Sequence, residues 1–281
     1  MRQGYPNAFG ELKSTPSRVA TTDTANIRWS QLGEMPTVPN PTLGARTFTA
    51  MTYDLADGLW GLTTSPYANC SSVGKQPGEC FAPQPRGMGP IHPRNKLWVG
   101  YRIALAALAA ISNGASPHAH TGPVFEGCTV KSTSSEHTIE VTFALAGSSG
   151  MFTKNRDGFE LQLADQSWHQ AQIVASSGAT LTLKASASEQ LAPIALRLHW
   201  LDSPCCRSFY GNGANYSWQW WGVAQHPVPD AGVCPPRNCS IYSSATGRTA
   251  ETELPAVPFV VSIDSLAGRC TQFPTATRLI G

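Results

Sequence analysis

Between residues 124 and 200 the sequence repeats one texture: short runs rich in β-forming residues at 124–130, 138–145, 159–163, 171–174, 180–184 and 194–200, separated by Gly, Ser and Asp. Turn-forming residues between consecutive short runs favour antiparallel neighbours joined by tight connections. The expectation is a β-rich, sandwich-like domain over residues 122–265. Residues 202–250 break the texture with four cysteines, with Trp218, Trp220 and Trp221, and with little periodicity, which reads as a disulfide-tied insertion. Residues 255–263 then supply a last, edge-like strand.

The first part of the chain reads differently. Pro6, Pro16, Pro36, Pro39 and Pro41 exclude long regular structure over residues 1–45. Residues 47–55 mix β-formers with polar residues and end in Asp54, with Asp57 just beyond, so they predict a strand ending in carboxylates. Glycines and prolines then make residues 58–90 a long loop. After it, Trp98, Tyr101, Leu105 and Leu108 recur at helical spacing, with alanines between them, until Asn113-Gly114 stops the helix. Strand, long loop and helix form an α/β pattern in which the loop lines a crevice at the strand's carboxyl end. The boundary with the β-rich part is expected near residues 114–122.

Composition narrows the class. At 281 residues, 41% hydrophobic and 14% charged, the chain can bury a core. Its net charge of +2 comes without basic or acidic blocks, which gives no footprint for nucleic acid or an anionic membrane. The apolar run 97–111 is too short to span a bilayer and carries Arg102. Eight cysteines lie mostly in loops and none forms a C-x-x-C pair, so disulfides are favoured over a zinc site, with 105 pairings open. Three N-x-S sequons, at Asn69, Asn215 and Asn238, join them in pointing to an oxidising, secreted or lysosomal setting. The residues from Met1 to Pro6 form no hydrophobic signal segment, which fits that setting only if the natural start lies upstream.

Chemistry concentrates at Ile91-His92-Pro93-Arg94, where the Gly/Pro-rich loop meets the helix. Proline at a helix start fixes the chain's direction of entry, and a neutral imidazole held there can relay a proton between a hydroxyl nucleophile and a leaving group. The simpler role for His92 is capping or packing. His118 and His120 could ligate a metal but have no third ligand nearby, and no cofactor motif occurs. Trp218, Trp220 and Trp221 suit either sugar stacking or packing of a disulfide-rich core. Glu79, beside Cys80, has no partner in the sequence pattern.

The ordered series Tyr5-Pro6-Asn7-Ala8-Phe9-Gly10-Glu11-Leu12, Ile27-Arg28-Trp29-Ser30-Gln31, Val38-Pro39-Asn40-Pro41, Tyr53-Asp54-Leu55-Ala56-Asp57 and Ile91-His92-Pro93-Arg94-Asn95-Lys96 resembles the carboxyl-terminal half of sialate O-acetylesterases. The later segments Gly158-Phe159-Glu160-Leu161, Leu196-Arg197-Leu198-His199-Trp200, Cys239-Ser240-Ile241-Tyr242 and Leu254-Pro255-Ala256-Val257-Pro258-Phe259 are similar to that family's β-rich tail. The resemblance implies an SGNH-type α/β hydrolase domain, here its carboxyl-terminal part over residues 1–116. It also implies a Ser-His mechanism on an O-acetylated sugar such as an O-acetyl sialic acid, with no cofactor and no metal. His92 matches the family's catalytic histidine. Arg28 and Gln31 fall in a segment expected to face the crevice and contact substrate, although both residue types are also common buried hydrogen-bonders. Relatives place an aspartate just before the histidine, where this chain has Gly89 and Pro90, so Asp54 and Asp57 stand as substitutes, with a turn-capping role for Asp54 equally weighted. No G-D-S segment is present, which implies that the serine-bearing half is missing and the chain is inactive alone. The competing reading is a non-catalytic glycan-binding β module on a residual hydrolase scaffold.

Overall fold

The computed structural model describes residues 23–33, 47–55, 96–112, 119–145, 150–186, 191–200, 205, 239–244 and 253–271. In chain order the strands are β1 (Val124–Ser132), β2 (Glu136–Ala144), β3 (Gly150–Thr153), β4 (Phe159–Leu163), β5 (Trp168–Ser177), β6 (Thr180–Ser186), β7 (Pro193–Leu198), β8 (Ile241–Ser244), β9 (Phe259–Asp264) and β10 (Arg269–Thr271). Eight of them close into an antiparallel barrel ordered β1-β10-β9-β7-β4-β5-β6-β2, with β2 returning to β1. The remaining two, β3 and β8, pair separately, from Gly150 opposite Ser244 to Thr153 opposite Ile241.

Alternation builds this wall. In β2, His137, Ile139, Val141 and Phe143 are buried while Glu140 is exposed; in β6, Leu181, Leu183 and Ala185 are buried while Lys184 is exposed. A barrel of eight strands is just wide enough for its own side chains to fill. Phe259 sits among Phe125, Phe143 and Phe159, with ring centroids 4.3, 6.4 and 6.3 Å away. Each such aromatic or leucine taken out of water is worth roughly 1.5–3 kcal/mol, so the interior is the main source of stability. The outer wall is covered too where β4 meets β7: Glu160 accepts from Arg197 at 2.8 Å, and the Arg197 guanidinium lies 3.8 Å from the Trp168 ring centre. Disulfides Cys128–Cys270 and Cys205–Cys239 pair all of the described cysteines.

Two α-helices occur among the described residues, α1 (Asp23–Gln31) and α2 (Leu97–Ile111), with one 3-10 turn at Tyr53–Leu55. Gly33, with φ 65°, ends the first: Leu32 N donates to Arg28 O and Gly33 N to Ser30 O. α1 buries Ala25 and Trp29, and Trp29 meets Trp200 edge-on at 5.7 Å.

The expected fold class, part of a three-layer α/β domain followed by a sandwich-like β domain, is therefore corrected. The described residues are mostly β, all of their strand pairs are antiparallel, and the β-rich part is a closed barrel. Residues 47–55 form no ladder, because the carbonyl of Met51 and the carboxylate of Asp54 both turn toward Arg102. A sandwich would leave sheet edges open, whereas pairing of β10 with β1 removes them.

Candidate functional site

β7 ends at Leu198, and the next residue, His199, takes φ 53°, a left-handed conformation that a non-glycine residue adopts only when its surroundings hold it there. Those surroundings are specific. His199 N donates to Gly158 O at 2.9 Å, and Arg28 Nη2 on α1 donates to His199 O at 3.1 Å. The Tyr53 hydroxyl donates to Ala256 O at 2.5 Å and lies 2.8 Å from His199 Nδ1. A phenol has one proton, so Nδ1 must carry the imidazole's hydrogen and donate it to Tyr53. His199 Nε2 is then the bare acceptor, and Ser240 Oγ donates to it at 2.9 Å. Gly158 makes room for this pair, since a Cβ there would stand 2.9 Å from both His199 Cδ2 and Ser240 Oγ, at φ 107°.

A second buried cluster lies beside the first. Arg102 of α2 donates through Nη1 to Met51 O at 2.9 Å and to Asp54 Oδ1 at 2.5 Å, and through Nη2 to Asp54 Oδ2 at 3.0 Å and Glu253 O at 2.8 Å. The Tyr242 hydroxyl accepts from Cys239 N at 3.1 Å and donates to Asp54 Oδ2 at 3.2 Å. A bidentate pair of this kind, with its remaining lone pairs used, is the form in which a buried carboxylate is tolerated.

Electrostatics follow from the burial. His199 titrates at about 3, pushed down first by burial and then by the Arg28 cation, so it is neutral at physiological pH. Burial, reinforced by the Asp54 charge, holds the Tyr53 and Tyr242 phenols above their ordinary range. Ser240 and His199 have the atom order of a nucleophile and its base, but with 2% and 1% exposure no substrate reaches them, and the third group is a phenol rather than a carboxylate. The network holds structure.

The two clusters bring together Arg28, Tyr53, Asp54, Gly158, His199, Ser240, Tyr242 and Ala256, residues from six separated stretches of sequence. Of the residues expected to form the site, Arg28 is half-buried and packs its guanidinium 5.6 Å from the Tyr53 ring centre, Gln31 is exposed, and Asp54 is buried on Arg102. His92 and Asp57 lie outside the described residues, as do His118, Glu79, the three sequon asparagines and Trp218, Trp220 and Trp221. Sequence reasoning assigned no role to Tyr53, Arg102, His199, Ser240 or Tyr242. One signal was available: polar residues at 197 and 199 sit in an otherwise apolar stretch. Among the described residues no three His, Cys, Asp or Glu side chains are grouped to hold a metal, and no helix is long and apolar enough to cross a membrane.

No protein-family model and no curated protein matches the chain. Among solved structures it is similar to a carbohydrate acetylesterase from Xanthomonas citri, at 27% identity, with a TM-score of 0.34 and a match covering 44% of this chain. The match spans 27% of that protein's length.

Proposed function

We propose that the chain serves in hydrolysis of O-acetyl esters on a carbohydrate, of the sialate O-acetylesterase type, with His92 as general base and a serine supplied by a segment carrying the G-D-S block. One observation supports the reading most: the segments whose order resembles that family, around Arg28, Tyr53-Asp54, Gly158, His199, Ser240-Tyr242 and Ala256, meet in a single buried junction. Separated motifs that converge in space form one structural unit rather than a chance series.

In this reading the junction positions and His92 reacts. Arg102 is clamped by Asp54, Met51 O and Glu253 O, which fixes α2, and α2 begins five residues after His92 in the sequence. Serine attacks the acetyl carbonyl as His92 takes its proton; His92 returns that proton to the departing sugar hydroxyl, then activates the water that releases acetate. Both oxygens of Asp54 are already committed to Arg102 and Tyr242, so Asp57 is assigned to orient the imidazole and Asp54 to position α2. Gln31, exposed on α1, is assigned to a sugar hydroxyl, with Arg28 holding that helix against His199 O.

The test joins this chain to a serine-bearing upstream half and follows acetate release from an O-acetylated sialoside and from p-nitrophenyl acetate. Turnover that His92→Ala lowers by about 10²- to 10⁴-fold is expected for loss of a general base. Turnover in the Ala variant equal to that of the parent removes His92 from the mechanism.

A further inference from the structure

We infer that the Cys128–Cys270 disulfide is a redox latch on the shortest seam of the barrel among the described residues, and that a dithiol reductant opens β10 from β1 while the remaining wall stays paired. The inference is independent of the esterase reading. The seam is thin. β1 and β2 are in register from Val124 opposite Ala144 to Ser132 opposite His137, and β2 and β6 from Glu136 opposite Ser186 to Thr142 opposite Thr180. By contrast, among the described residues β1 and β10 meet at a single register position, Thr129 opposite Arg269, supported by Val130 N donating to Gly268 O at 2.8 Å.

β10 is otherwise held by its hairpin with β9, in which Arg269, Cys270 and Thr271 pair with Asp264, Ile263 and Ser262. It is three residues long; Arg269 and Thr271 are exposed, and only Cys270 turns inward to pack against the core. That one inward side chain is the disulfide partner of Cys128, with Cα atoms 5.1 Å apart. The covalent bond therefore reinforces a seam to which β10 brings little apolar burial of its own. Cys270 is half-buried, whereas its partner Cys128 is buried. In the reaction a thiolate of the dithiol attacks one sulfur and breaks the S–S bond, giving a mixed disulfide. The dithiol's second thiol displaces the protein sulfur and closes a cyclic disulfide. Cys128 and Cys270 gain two electrons and two protons as the dithiol loses them. Local opening then costs only a short, exposed ladder, and short exposed ladders belong to the low-stability end of a fold.

Amide hydrogen exchange on the full chain tests this, with and without dithiothreitol, beside the pairs Cys128→Ser/Cys270→Ser and Cys205→Ser/Cys239→Ser. Reduction and the first pair should each speed exchange about tenfold or more at Val130, whose amide bonds across the seam, and less than twofold over 159–163 and 193–198. The second pair should leave the seam unchanged. Uniform acceleration over all the barrel strands shows the disulfide to be a global staple and overturns the latch; so does exchange at the seam that reduction leaves unaltered.

Discussion

At the scale of single residues, the junction turns on Gly158 and His199. A methyl group at position 158 would meet His199 Cδ2 and Ser240 Oγ at 2.9 Å and would need φ 107° besides, so neither neighbour can be spared. Gly158→Ala is expected to cost about 2–3 kcal/mol in urea unfolding, the range for strained backbone combined with a displaced buried hydrogen bond; a loss below about 0.5 kcal/mol contradicts the packing described. His199 makes a pH prediction whose sign is fixed. Its folded value of about 3 lies below its ordinary 6.5, so between these the unfolded chain binds a proton that the folded chain refuses. Stability therefore rises with pH across that window, by about 1.4 kcal/mol per unit from this residue, and falls as the medium is acidified. His199→Asn should flatten the slope between pH 4 and 6; an unchanged slope assigns the acid sensitivity elsewhere. None of this was legible in the sequence. A histidine among apolar residues signals burial, but the Tyr53 and Ser240 hydroxyls that satisfy it come from positions 146 residues before and 41 residues after it.

At the scale of elements, local pattern and tertiary contact diverge in instructive places. β4 runs from Phe159 to Leu163, as its β-rich run predicts, whereas β5 extends beyond the expected 171–174 to Trp168–Ser177, since pairing with β4 and β6 recruits its ends. Strands β3 and β8 escaped notice because each has four residues and depends on the other, distant in sequence, and β10 because it has three. In α2 the expected apolar stripe through Trp98, Tyr101, Leu105 and Leu108 is not the buried one. Arg102, Leu105, Ala106 and Ala109 are buried, while Tyr101 and Leu108 are exposed. The ion pair decides that rotation: Arg102 must reach Asp54, and alanines beside it allow the close approach. Replacing Asp54 by Asn leaves a buried guanidinium without its counter-charge and should cost about 3–5 kcal/mol, whereas Asp54→Leu with Arg102→Met should cost well under the sum of the single changes. A double-mutant cycle by chemical denaturation measures this; strict additivity would show that the two side chains do not act together.

For the molecule as a whole, closure was the hidden property. The alternating runs fit a sandwich as well as a barrel, and among the described residues the difference rests on one short contact, β1 with β10, between residues 129 and 269. The barrel is filled by its own side chains, so its contribution to chemistry is to hold what is attached at its end: α1 through Arg28, the turn at Tyr53–Leu55, and α2 through Arg102. Two histidines then carry different assignments. One, His199, is enclosed and holds the junction; the other, His92, is the proposed base. The most direct measurement compares acetate release, per folded molecule, by His92→Ala and His199→Asn in the chain joined to a serine-bearing segment as proposed above. Loss of about 10²-fold or more with His92→Ala, against turnover within about tenfold of the parent for His199→Asn, is the expected result. Activity that survives the first change and vanishes with the second would contradict the account.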